Sequence, residues 1–215
     1  MRIKALATFI AICGVACAPP SFAQGKLGAY TGTVTVSGSI QGKYTSETYG
    51  GTVKITIPME SRSDTTGRAE VNDVDKPSAM ATVTKFESSG KDSSPDSGGK
   101  INTWSCSLAA PVEVPMNAQG VIDLDYRAKK YSMFVALVPL KEVPLNCTHS
   151  RSGAYKKKGG PGFVVGTSPP QQIPPKTLPL ADPARLAAKY RMEPAGDMMG
   201  SHGPIEQEWD LRLVK

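Results

Sequence analysis

The sequence predicts an all-β, mainly antiparallel fold, either a β-sandwich or a partly open barrel of about eight strands. Two observations lead to this prediction: apolar and polar residues alternate with a period of two along many segments, and helical periodicity is scarce. Segments rich in Ser, Thr, Gly and Asp, residues 44–51 and 88–100, are expected to be loops between strands. The chain has 215 residues, and residues 24–215 are long enough to form one domain with a sizeable core.

The first 23 residues have the pattern of a secretory signal peptide. Arg2 and Lys4 form a basic start, residues 5–15 are almost wholly apolar, and residues 21–23 supply the small residues of a cleavage site before Gln24. A bilayer core of about 30 Å needs about 20 apolar residues, so this segment is too short to span it. We therefore expect an exported protein, periplasmic or extracellular, that is not transmembrane.

Strands with one buried face are predicted in the N-terminal half. Apolar residues on one parity alternate with Thr or Lys on the other. The residues expected to point inward are Val34, Val36, Val53, Ile55 and Ile57.

A hairpin is predicted in the middle of the chain. Residues 121–126 alternate, residues 131–138 are apolar on both parities as in a central strand, and the link of residues 127–130 is short. Further alternation predicts strands whose inward faces carry Trp104, Cys106 and Leu108, and Val143, Leu145, Cys147 and His149.

One disulfide is predicted, between Cys106 and Cys147. The other two cysteines lie in the signal segment, and an exported protein with two remaining cysteines most simply pairs them. The bond would close a loop of about 40 residues and stabilise the fold by roughly 4 kcal/mol at most.

Residues 150–203 form a region rich in Pro and Gly before the last strand. Its prolines favour extended backbone and are expected to exclude regular strand pairing. One short helix is predicted within it, from Asp182 to Met192, because Asp182 is a suitable N-cap and Pro183 suits the first helical position. The alternation of Trp209, Leu211 and Leu213 with charged residues predicts a C-terminal strand.

Positive charge is concentrated in residues 126–160, which contain eight basic residues and one acidic residue, Glu142. Two groups of candidate binding residues lie in loops of the predicted fold: Arg127, Lys129 and Lys130, and Arg151, Tyr155, Lys156, Lys157 and Lys158. If both loops sit at the same end of the domain, they form one positive surface for a polyanionic partner of the envelope or extracellular space. The alternative is that these lysines protect strand edges from association. Nucleic acid is not expected as a partner, because the protein is exported and no stacking motif accompanies the lysines.

Catalytic and metal sites are the weaker hypotheses. Asp123 and Asp125 share a strand face at a spacing of about 7 Å, as in a glycan hydrolase with paired carboxylates, and His149 is a possible base. Met198, Met199 and His202 offer soft and imidazole donors to copper, although methionines in such a segment also pack well. The sequence therefore favours a non-enzymatic binding protein without a cofactor. A secreted glycan hydrolase and a structural subunit of a surface assembly are the alternatives.

Overall fold

The computed structural model describes residues 28–61, 69–71, 79–93, 99–167, 175–193 and 203–214. These residues form thirteen β-strands and no helix, and every strand pairing is antiparallel. The predicted all-β, antiparallel class is confirmed. The predicted signal peptide of residues 1–23 lies outside the described residues.

The thirteen strands cover most of the described residues. In chain order they are β1 (Gly28–Gln41), β2 (Thr45–Ser61), β3 (Ala69–Val71), β4 (Ala79–Ser93), β5 (Ile101–Leu108), β6 (Val112–Asp125), β7 (Lys130–Pro139), β8 (Val143–His149), β9 (Gly153–Gly159), β10 (Phe163–Gly166), β11 (Leu178–Pro179), β12 (Arg185–Met192) and β13 (Ile205–Val214).

Several of these strands are consecutive parts of longer runs. Strands β5 and β6 both pair with β4, and β8 and β7 continue the pairing on their far side. Strands β9, β10 and β11 follow one another along the far side of β8 and β7. On the other side, β2 pairs with β1, β1 with β13, and β13 with β12. The result is one long sheet that is not closed, with β12 at one edge and β9 to β11 at the other.

The core lies on one face of this sheet, which folds back over itself. The Trp209 indole N–H donates to the Tyr131 hydroxyl at 3.1 Å, which links β13 to β7. The amide oxygen of Gln207 accepts from the Gly166 N–H at 2.7 Å, which links β13 to β10. The predicted alternation is confirmed here, since the residues expected to point inward on β1 and β2 are all buried: Val34, Val36, Val53, Ile55 and Ile57.

The predicted hairpin is confirmed as β6 and β7. The two strands pair from Met116 opposite Pro139 to Asp125 opposite Lys130. The Asp125 carboxylate accepts the backbone N–H groups of Arg127 at 3.0 Å and Ala128 at 2.8 Å, so the turn is held by an Asx-type contact.

The predicted disulfide between Cys106 and Cys147 is also confirmed. The two residues lie directly opposite each other on β5 and β8, with a Cα–Cα distance of 4.1 Å, and both are buried. The bond therefore cross-links two adjacent strands, β5 and β8, on the inner face of the sheet.

The predicted helix from Asp182 to Met192 is wrong. Asp182 does cap a turn, accepting from the Ala184 N–H at 2.8 Å, but residues 185–192 form β12. Leu186 and Met192 point inward with period two, and β13 supplies acidic partners for the outward basic residues, including Asp210 for Arg185 at 2.8 Å. The partner strand has overridden a local sequence that also suits a helix.

Two expectations about irregular segments are corrected as well. Strands β9 to β12 lie within residues 150–203, so the prolines there do not exclude regular pairing in the described part. Residues 45–51 belong to β2 and residues 88–93 to β4, rather than to loops. The two segments pair with each other and with flanking strands along their length. These backbone hydrogen bonds hold them as strands although their composition is typical of loops. Within the described residues, nothing helical is long and apolar enough to cross a membrane.

Candidate functional site

The two predicted basic groups lie at opposite ends of one run of the sheet. Strands β7 and β8 run consecutively from residue 130 to residue 149, paired with β6 and then β5. Arg127, Lys129 and Lys130 lie at the start of this run, while Arg151 follows its end and leads into β9. At about 3.3 Å per residue the run is up to about 60 Å long. The two groups therefore lie at opposite ends of this run, rather than in neighbouring turns at one end as we expected.

The lysines of β9 are divided between the two faces of the sheet. Lys156 lies opposite Asn146 and Lys158 opposite Pro144, whereas Lys157 lies opposite Leu145. Since successive side chains of a strand point to opposite faces, Lys156 and Lys158 share the solvent face. Lys157 shares the core face, where its Nζ lies 5.8 Å from the centre of the Trp104 ring. Tyr155, opposite Cys147, is on that face too.

A groove of about 950 Å³ lies on the solvent face of six neighbouring strands, β1, β2, β4, β5, β8 and β9. The outward side chains of its lining are mostly small and polar. They are Thr35, Ser37, Thr48, Thr52, Lys85, Glu87, Ser89, Ser105, Ser107, Asn146, Thr148, Ala154 and Lys156.

Four hydroxyl residues form an in-register row through this groove. Thr48, Ser89, Ser105 and Thr148 lie directly opposite one another on β2, β4, β5 and β8. The hydroxyls of Thr48 and Ser89 are 3.0 Å apart, and those of Ser105 and Thr148 are 2.8 Å apart. A hydroxyl has one hydrogen to donate and two lone pairs, so the Ser105–Thr148 pair keeps one O–H and several lone pairs for a ligand. The Thr48 hydroxyl also lies 3.4 Å from the Ser89 carbonyl oxygen, so the Thr48–Ser89 pair offers mainly lone pairs.

A second row runs beside the first and carries the charges. Its residues on β2, β4, β5, β8 and β9 are, in register, Gly50, Glu87, Ser107, Asn146 and Lys156. Gly50 has no side chain and Ser107 a short one, so the surface is low on both sides of Glu87 and higher at Lys156. The groove thus follows from where the sequence places small residues.

Lysines predominate among the outward charged side chains on β2, β4 and β9. The outward residues of β2, β4 and β9 include Lys54, Lys85, Lys91, Lys156, Lys158 and Glu87. On β13, beside β1, the outward Glu206, Glu208 and Asp210 form ion pairs with the basic residues of β12. The Glu87 carboxylate lies 3.1 Å from the Lys85 ammonium, and both side chains are more than half exposed. Because Lys85 and Glu87 neutralise each other, Lys156 is the unpaired charge among the described residues that line the groove, and Lys54, Lys91 and Lys158 lie elsewhere on the same face.

The candidate catalytic residues lie outside the groove. The Asp125 carboxylate is engaged by the β6–β7 turn, and Asp123 lies opposite Ser132 on the same hairpin. The Nδ1 atom of His149 accepts from the Arg151 N–H at 3.1 Å, so this histidine caps the β8–β9 turn.

The candidate copper ligands Met198, Met199 and His202 lie outside the described residues. Among the residues that are described, no three His, Cys, Asp or Glu side chains group together as metal ligands would.

The groove was not predicted from the sequence, although part of its signal was visible. Ser105 and Ser107 alternate with Cys106 and were expected to point outward. Residues 45–51 and 88–93 supply the other half of the rows, and their Ser, Thr and Gly content indicated loops instead. Only the pairing of β2 with β4 brings these hydroxyls into line.

Comparison with known proteins gives no further guide to this site. No protein-family model matches the chain, and no curated protein or solved structure is significantly similar to it.

Proposed function

We propose that the protein is an exported binding protein that holds an acidic partner of the envelope or extracellular space in the groove. Export rests on the signal-like pattern of residues 1–23. We take the scaffold to be the predicted sandwich, with β7 and β10 packed over β13 through the bonds that reach Trp209 and Gln207.

The single observation that carries the proposal is a groove of about 950 Å³ lined by hydroxyl and amide side chains, with Lys156 in its lining and Lys54, Lys91 and Lys158 elsewhere on the same face. An excess of positive charge near a concave surface attracts anions and speeds their association. The lysines are flexible and exposed, so they suit a partner bound mainly by charge and released by salt.

The proposal is tested by removing one charge at a time from β9. Lys156→Ser removes a lysine from the groove, and Lys157→Ser removes an equal charge from the next residue, which points to the other face. We expect Lys156→Ser to weaken binding of polyphosphate about two- to five-fold at low salt, and Lys157→Ser to change it much less. The measurement is a titration of the mature protein followed by fluorescence or calorimetry at two salt concentrations.

Two further results would argue against the groove. If both variants lose affinity equally, the protein responds to net charge alone. If neither does, the lysines of β9 act only as edge protection. A Lys130→Ser variant, which also removes one charge but at the far end of β7, is the matched control for total charge.

A further inference from the structure

We propose that the ligand of the groove is an acidic polysaccharide, bound with its chain across the strands along the two rows of polar residues. This inference rests on the proposed function and narrows its partner from any polyanion to sugar chains that carry carboxylates.

The hydroxyl row is the first argument. A polyphosphate or polysulfate offers almost only hydrogen-bond acceptors, so it can bond only to the donors of the groove. Sugar hydroxyls both donate and accept hydrogen bonds, and so do the hydroxyls of Thr48, Ser89, Ser105 and Thr148. A sugar chain can therefore use both the donors and the acceptors of this row. The two hydroxyl pairs, bonded at 3.0 Å and 2.8 Å, are held in place before a ligand arrives, which lowers the ordering cost of binding.

Glu87 is the second argument. Its carboxylate stands in the middle of the second row, between Gly50 and Ser107, and is exposed to the groove. A carboxylate only accepts hydrogen bonds. It repels a simple polyanion, but it accepts strong, charge-assisted bonds from sugar hydroxyls. Asn146, two strands further along the same row, adds an amide that both donates and accepts.

The shape of the groove is the third argument. The second row crosses six strands from Ser37 on β1 to Lys156 on β9. Neighbouring strands lie about 4.8 Å apart, so the row is about 24 Å long. That length accommodates several sugar units, with Lys156 at one end of the row available to a carboxylate of the chain.

The experiment measures two kinds of ligand on the same variants. The sugar probes are oligogalacturonate and oligoalginate, and the anion without sugar is polyphosphate of similar charge. The change Glu87→Gln keeps the shape of the side chain and removes its charge. We expect Glu87→Gln to bind polyphosphate about two- to five-fold more tightly, because a repulsion is lost and Lys85 is released, and to bind the sugar chain more weakly. A gain of affinity for polyphosphate together with a loss of affinity for the sugar chain would distinguish a sugar-binding groove from a simple anion site.

A second variant tests the hydroxyl row without disturbing the strand. Thr148→Val keeps the β-branched shape that suits β8 and removes one hydroxyl of the pair with Ser105. We expect it to weaken the sugar probes several-fold and to leave polyphosphate unchanged, with the melting temperature showing that both variants stay folded.

Each alternative result has a defined meaning. If polyphosphate binds and neither sugar chain does, or if Glu87→Gln tightens both kinds of ligand, the sugar inference is overturned while the anion-binding function stands. If Lys156→Ser changes the affinity for no probe, the proposed function itself fails.

Discussion

Single residues on the groove-bearing part of the sheet act differently according to which face they point to. Gly50 and Gly51 are neighbours in β2, but Gly50 belongs to the groove row, whereas Gly51 is buried against the Phe163 ring. The same division separates Lys156 from Lys157 on β9. A run of identical residues in the sequence is therefore not one functional unit in the sheet.

The two glycines give a matched prediction at the residue scale. A Cβ added at Gly51 would lie 2.7 Å from Cε1 of Phe163, which is buried, so Gly51→Ala forces the core to shift. We expect it to lower the free energy of unfolding by about 1–3 kcal/mol. A Cβ at Gly50 would approach no atom closer than 3.5 Å, so Gly50→Ala should be nearly neutral. Urea unfolding of both variants checks this, and equal losses would contradict the assigned faces.

At the scale of elements, β5 and β8 form the floor of the groove and are joined by the disulfide. They contribute Ser105 and Thr148 to the outer face and Cys106 and Cys147 to the inner face. The cross-link fixes the register of the two strands, and with it the alignment of the hydroxyls above. The disulfide predicted from the sequence thus lies directly beneath the candidate site.

Loss of this cross-link should destabilise the protein measurably. The bond closes a segment with a sequence separation of 41, for which chain entropy gives about 4 kcal/mol as an upper value. We expect reductant to shift the urea midpoint of the wild-type protein downward. A Cys106→Ala and Cys147→Ala variant, which has nothing to reduce, should show no shift. An unchanged midpoint for the wild-type protein would mean that the loop entropy is offset elsewhere.

At the scale of the whole molecule, folding of the sheet over itself buries tyrosine hydroxyls. The Tyr30 side chain is 2% exposed, and its hydroxyl donates to the Pro183 carbonyl at 2.7 Å. Burial, with smaller contributions from Tyr126 and Asp182, raises the pKa of Tyr30 to about 12. Burial raises the pKa of Tyr131 in the same way. Ionisation of these buried groups is therefore less favourable in the folded chain than in the unfolded chain.

This difference predicts loss of stability at alkaline pH. An unfolded tyrosine releases its proton near pH 10, whereas folded Tyr30 retains it to about pH 12. Between these values the unfolded chain binds fewer protons than the folded chain, so the free energy of unfolding falls as pH rises. The contribution is fully present below pH 10, and its loss amounts to at most about 2–3 kcal/mol.

The variant Tyr30→Phe isolates this contribution. It keeps the ring in the core and removes the titrating hydroxyl, so its stability should fall less steeply than that of the wild-type protein between pH 10 and pH 12. Urea unfolding at a series of pH values measures the two slopes. Identical slopes would show that Tyr30 does not titrate with unfolding.

The sequence by itself determined the β class, the inward residues of the main strands, the β6–β7 hairpin and the disulfide. Each of these depends on local alternation, a short turn or a count of cysteines. Only the tertiary structure decided that residues 182–192 form an Asx turn and a strand, because β13 offers both an apolar surface and matching carboxylates. It alone aligned the hydroxyls of β2, β4, β5 and β8, since side chains up to 100 residues apart become neighbours only when strand register is fixed.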